Sequence, residues 1–198
     1  MDTPAPAQRI LGGTDDALVQ RAARGDVAAF DALMADRLDS CYRLAWSILQ
    51  NEADAADATQ EAFVAAWRKL PRLRDTSAFD GWLNRIVANA ARMGRRHRTR
   101  LREVPVVSPT SETEAPAAWD RGPVPHRPTE SDAILERDAM GRAFARLREA
   151  ERAILVLHHV DERPVAEIAR TLGIPVGTTK WRLHAARKAL ERAMEAEA

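Results

Sequence analysis

Between Gly173 and Leu190 the chain holds Lys180, Arg182, Arg187 and Lys188, with His184 among them, and no Asp or Glu. A second stretch, Gly81 to Arg102, holds seven arginines (85, 92, 95, 96, 98, 100 and 102) and again no acid. Like charges gathered this closely repel one another unless an anion neutralises them. A phosphate backbone does so, and release of its counterions drives the binding. A third stretch has the opposite sign: Glu52, Asp54, Asp57 and Glu61, with Gln60 beside them, form an acidic stripe. From composition alone that stripe is a solvated face; a basic protein partner is the alternative.

Material for bond-making chemistry is sparse. The single cysteine, Cys41, excludes an internal disulfide and a multi-cysteine zinc site. There is no Gly-rich phosphate loop and no metal-ligand cluster, so no catalytic residue, cofactor or metal is expected. Glu61 or Glu167 with a histidine could serve an enzyme built on a helical bundle, but no paired acid–base spacing supports it. Glu167 reads as a helix-start residue that caps or pairs locally, and His158 and His159 as core-edge residues of an apolar helix.

Each cationic stretch needs a helix to present it. The segment RPVAEIARTLGIPVGTTKWRLHAARKAL has the anatomy of a helix-turn-helix. Pro164 suits a first helical turn, and Ile168, Ala169 and Leu172 give a short helix its buried side. Gly173 stands where a tight turn needs left-handed backbone. After Pro175, the stripe Val176, Thr179, Leu183, Ala186 and Leu190 faces the core. Thr178, Lys180, Trp181, Arg182, His184, Ala185, Arg187 and Lys188 then point outward, as insertion into a major groove requires. On the earlier helix Trp82, Leu83, Ile86, Ala90 and Met93 read as inward. Arg85, Asn89, Arg92 and Arg96 share a neighbouring face at three-and-four spacing, and Asn84 and Asn89 add amides able to reach base edges.

The rest of the chain supplies scaffolding for these helices. Few glycines, one tyrosine and abundant Ala, Leu, Arg and Glu favour helix over sheet. After Asp15 and Asp16 a short helix carries Leu18, Val19 and Ala22 and ends near Gly25. Asp26 caps a second helix, whose stripe is Phe30, Leu33, Leu38, Cys41, Tyr42, Ala45, Ile48 and Leu49. A third runs from about Asn51 to Leu70, stopped by Pro71. A polar loop follows, and a fourth helix begins near Phe79. From Glu103 to Thr129 six prolines fall among Ser, Thr and Glu, which predicts an extended linker. Helical pattern resumes near Ser131, with Ile134, Leu135, Phe144 and Leu147 in one helix and Ile154, Leu155, Leu157 and Val160 in the next.

The expected fold class is all-α: two small helical domains joined by a Pro-rich linker, the C-terminal one a helix-turn-helix. The divisions are a tail at 1–13, an N-terminal domain at 14–102, the linker at 103–129 and the C-terminal domain at 130–198. The net charge of +1 does not by itself announce a nucleic-acid partner. No run approaches the ~20 apolar residues that span a bilayer, and MDTPAPAQRILGGTDD lacks the order of a secretory signal. A cytoplasmic protein without membrane insertion is expected.

Together these segments resemble the extracytoplasmic-function group of bacterial RNA polymerase sigma factors over nearly the whole chain. EADAADATQEAFVAAWRKL looks like that family's helix for gripping the coiled coil of the largest polymerase subunit. The resemblance thus implies Asp54, Asp57, Gln60 and Glu61 as polymerase contacts, with Phe63 and Trp67 in the core. FDGWLNRIVANAARMGRRHR looks like the promoter-melting, minus-ten-reading helix, implying Asn84, Arg85, Asn89, Arg92, Arg95 and Arg96 as DNA contacts. The loop Arg72–Ala78 would capture an unstacked base. EIARTLGIPVGTTKWRLHAARKAL is similar to the minus-thirty-five-reading helix-turn-helix, implying Thr178, Lys180, Trp181, Arg182, His184, Arg187 and Lys188. Implied partners are core RNA polymerase, promoter DNA as duplex and as melted strand, and an anti-sigma factor. Three positions depart from the pattern: Met93 replaces a common acid, Trp181 a small hydroxyl residue and Ala185 a frequent arginine. The alternative function is a conventional helix-turn-helix repressor or activator with an N-terminal sensing domain. The acidic helix and the second basic helix both argue against it.

Overall fold

A computed structural model of the chain describes residues 12–103 and 139–197, with side chains for 16–96 and 139–197. The expectations for the Pro-rich segment, for Ile134 and Leu135, and for the side chains of Arg98, Arg100 and Arg102 lie outside the described residues.

Among the described residues every regular element is helical. Helix α1 (Gly12–Ala23) is followed by a turn at Gly25, whose φ of +95° only glycine adopts readily. Helix α2 (Val27–Leu49) starts where the Asp26 carboxylate accepts from the Ala29 amide at 3.1 Å. Helix α3 (Glu52–Lys69) starts in the same way, with Asn51 Oδ1 accepting from the Asp54 amide at 3.0 Å. Two short 3-10 turns, Leu70–Arg72 and Thr76–Ala78, replace the expected loop and lead into α4 (Phe79–Glu103). The second turn is held by Asp75 Oδ1, which accepts from the Ser77 amide at 3.0 Å and its hydroxyl at 2.6 Å. The Ser77 hydroxyl and nearby amides keep the Asp75 carboxyl below its usual range.

The described part of α5 is 139–146. Helix α6 (Glu149–Leu155) passes into a π-helical turn, Val156–Val160. Helices α7 (Val165–Leu172) and α8 (Val176–Glu195) follow, each preceded by a proline and separated by Gly173 at φ 69°. That left-handed residue lets the Ile174 amide return to the Ala169 carbonyl at 3.0 Å and stops α7 within one residue.

Helices α1–α4 and α5–α8 pack against each other, and one apolar cluster runs through both groups: Leu33, Leu44, Ile48 and Leu83 on one side, Ile154, Leu157, Ile168 and Leu183 on the other. The seam is polar as well as apolar. Arg37 Nε donates to Asp80 Oδ1 at 2.6 Å, and Arg163 Nη1 to Asp80 Oδ2 at 3.0 Å. Arg43 pairs with Asp161 at 2.9 Å. The buried Arg152 guanidinium donates to the Ser47 carbonyl at 2.6 Å and to the Leu147 carbonyl. Trp46 and Phe144 stack across the seam with centroids 6.4 Å apart. Gly81 lies so near α7 that a Cβ there would meet Glu167 Cγ at 3.2 Å.

The inward stripes differ from the sequence pattern at four places. Leu38, Val160 and Val176 are exposed. On α4, Met93 is 66% exposed. Its buried side is Leu83, Val87, Ala88 and Ala91, while Trp82, Ile86 and Ala90 are only half-buried. The reason is steric. Ala88 and Ala91 let backbones approach closely, so α4 turns these two to the core beside Leu83 and Val87, and Trp82, Ile86 and Met93 to the margin.

Candidate nucleic-acid interface

On α8, Thr179 and Leu183 fix the rotation of the helix. Both are buried, and the Thr179 hydroxyl donates to the Pro175 carbonyl at 3.0 Å. The opposite side therefore faces solvent. Lys180, Trp181, His184, Arg187 and Lys188 are exposed, and Thr178 and Arg182 are half-buried beside them. Arg187 is held in place, since its Nε donates to His159 Nε2 at 3.0 Å. Burial, the Arg187 guanidinium and His158 together keep His159 below its ordinary value of 6.5, which preserves the neutral ring that can accept. His159 thus becomes a positioning residue for a cation of the helix-turn-helix. Nothing in its spacing announced this, because the π turn at Val156–Val160 sets its direction.

On α4 the picture is mixed. Arg85, Asn89, Arg95 and Arg96 are exposed and Arg92 half-buried, so these five occupy the outer side of one helix. Asn84 is the correction. It is 3% exposed, within the stripe of Leu83, Val87 and Ala88, and its Nδ2 has no hydrogen-bond partner. Its amide therefore does not reach base edges, for the same steric reason that turns Met93 outward. Two of the arginines are engaged: Arg95 Nη1 lies 2.5 Å from Glu149 Oε2, and Arg92 Nε 3.5 Å from Glu149 Oε1. Glu149 comes from α6, and sequence spacing could not pair it with residues more than fifty positions earlier.

On α3, Asp57, Gln60 and Glu61 are exposed and Asp54 half-buried. Gln60, with Asp57 and Glu61 beside it, borders an apolar groove of about 680 Å³ between α2 and α3, lined by Phe30, Met34, Leu38, Phe63, Val64 and Trp67. Phe63 and Trp67 are thus half core and half groove, with Trp67 set edge-on to Phe30 at 4.9 Å. The exposed Leu38 and Val64 belong to the same surface. An acidic ridge beside an apolar trough is complementary to a basic, amphipathic partner.

Among the described residues no group of three or more His, Cys, Asp or Glu could hold a metal. None of their helices is long and apolar enough to cross a membrane. The buried Cys41 thiol is pushed up to about 12, first by burial and then by Asp161 and Asp80, so it stays protonated.

Comparison with known proteins supplies the remaining facts. Residues 33–101 match Sigma-70 region 2, and residues 137–190 match Sigma-70, region 4. The RNA polymerase sigma-H factor of Pseudomonas aeruginosa is 32% identical over 187 residues, covering 91% of this chain and 94% of that protein. The ECF RNA polymerase sigma-E factor of Escherichia coli K12 is 30% identical over 190 residues, covering 92% and 95%. Among solved structures, CnrH in complex with the cytosolic domain of CnrY superposes with a TM-score of 0.64 at 25% identity, covering 93% of this chain and 99% of that one.

Proposed function

The chain belongs to the ECF RNA polymerase sigma factors, which direct the polymerase to promoters, and from that premise we propose how its three charged surfaces divide the work. The α8 face takes the minus-thirty-five duplex. Lys180, Arg182, Arg187 and Lys188 anchor it to phosphates, while Thr178, Trp181 and His184 lie nearest the base edges. On α4, Arg85, Asn89, Arg92, Arg95 and Arg96 hold the minus-ten segment, and the turn at 72–78 receives an unstacked base. Asp54, Asp57, Gln60 and Glu61, with the adjoining groove, grip the core enzyme.

The observation that carries this reading is the openness of the α8 face. Although the two groups of helices are packed together, Lys180, Trp181, His184 and Lys188 remain in solvent. Unstacking costs about a few kcal/mol per base, so strand opening draws on polymerase contacts as well as on α4. The chain breaks and forms no covalent bond in this scheme; phosphodiester synthesis stays with the polymerase. The division into a tail at 1–13, a polymerase-and-minus-ten domain at 14–102, a linker at 103–129 and a minus-thirty-five domain at 130–198 belongs to the same proposal. So do a cytoplasmic site of action and an anti-sigma partner.

Run-off transcription with purified core polymerase tests the scheme. Start sites that appear only when this chain is added are the expected result. Tight binding to a duplex operator without core enzyme, and no new start sites, would favour the repressor alternative.

A further inference from the structure

Trp181 lies in the middle of the α8 face and is 66% exposed. Its neighbours one turn away are Gly177 and Thr178 before it, His184 and Ala185 after it. A Cβ added at Gly177 would have nothing within 4 Å, so the turn before the indole is open as well. Around it Lys180, Arg182, Arg187 and Lys188 carry the charge of the face. The result is a planar apolar island within a cationic surface. An exposed indole does nothing for the core, and the small residues at 177 and 185 leave room for it to meet a partner while the flanking cations reach phosphates.

The chemistry of the groove narrows the partner. An indole offers an apolar ring and one donor, Nε1–H, with no acceptor. In the major groove cytosine presents a donor, which the indole cannot answer, and guanine and adenine present no apolar group. Thymine alone presents a methyl, and its O4 acceptor adjoins. We propose that Trp181 is a specificity-determining residue that selects a thymine in the minus-thirty-five duplex by covering its C5-methyl. This rests on the reading of α8 as the promoter helix and deepens it.

The test uses holoenzyme, assembled from core polymerase and the full chain, to select duplexes from a library randomised across the minus-thirty-five region. Each thymine of the selected sequence is then replaced in turn by deoxyuridine, which removes only the methyl. One position is expected at which the replacement weakens holoenzyme binding about fourfold. With Trp181→Ser the deoxyuridine effect at that position should vanish and the thymine preference relax; Trp181→Phe, which keeps the ring and loses the donor, should retain both. Deoxyuridine without effect at every position, or an unchanged profile for Trp181→Ser, overturns the assignment while selection itself still supports the sigma reading. Failure of the wild-type holoenzyme to enrich any sequence overturns both.

Discussion

Glu149 closes on Arg95 at 2.5 Å and reaches Arg92 at 3.5 Å. A carboxylate from α6 thus neutralises two cations of α4 that the proposed function assigns to promoter DNA. For those arginines to take phosphate, they must exchange one anion for another. Glu149 is only 18% exposed as a side chain, so its own loss of partners would leave a charge with little water around it.

Glu149→Gln removes that competitor. The variant holoenzyme is expected to bind promoter DNA more tightly at low salt, with a log–log salt slope steeper by about one. Anisotropy titrations over a salt series measure it, and an unchanged slope would place Arg92 and Arg95 off the DNA path.

The charged surfaces should separate by mutation. Arg182→Glu is expected to abolish promoter-specific initiation while core polymerase still co-purifies. Asp57→Lys is expected to weaken co-purification more than it weakens DNA contacts. Equal loss of core binding in both variants would refute the division.

Acid should loosen the seam. Burial works against the Asp80 carboxylate, but the hydrogen bond and charge of Arg37, then Arg163, outweigh it and hold the group below its ordinary 3.8. A depressed carboxylate contributes stability above its unfolded value, and the contribution is lost as pH falls through the folded one. Packing of α7 and the preceding Arg163 on α4 should therefore hold at pH 5 and weaken below about 3.8. In Asp80→Asn this acid-dependent part should disappear and the seam be looser already at pH 7. Near-ultraviolet dichroism, which senses the Trp46–Phe144 stack, follows both.

Cys41 offers a probe of the same seam. It is the only cysteine of the chain and is fully buried, with its thiol pushed up to about 12. Thiol reagents at pH 8 should leave the native protein unlabelled and modify it once denaturant is added. Asp80→Asn, by loosening the packing near Cys41, should label faster than the parent; equal rates would mean that the thiol reports only global unfolding.

Much of this architecture was legible in the chain because local signals decide local structure. Asp26 caps the helix it precedes, and Gly25 and Gly173 occupy left-handed positions that side chains avoid. The rotation of α8 followed from Thr179, Leu183 and Ala186, which are buried as their spacing requires. The rotation of α4 did not. Hydrophobicity favours Trp82 and Met93 as inward residues, whereas close packing favours Ala88 and Ala91, and packing won. Asn84 was carried inward by that turn. The pairings Glu149–Arg95, Asp80–Arg163 and His159–Arg187 join residues distant in sequence, so no spacing rule could have found them.

Helix α2 runs for 23 residues and serves two neighbourhoods at once. Phe30, Met34 and Leu38 open onto the groove beside α3, while Arg43, Ser47 and Ile48 hold the C-terminal helices. A substitution along this rod will disturb both, whichever was intended. Screens that seek to separate recruitment from sequence choice must therefore draw their alleles from α3 and α8, and defects mapping to α2 will read as mixed.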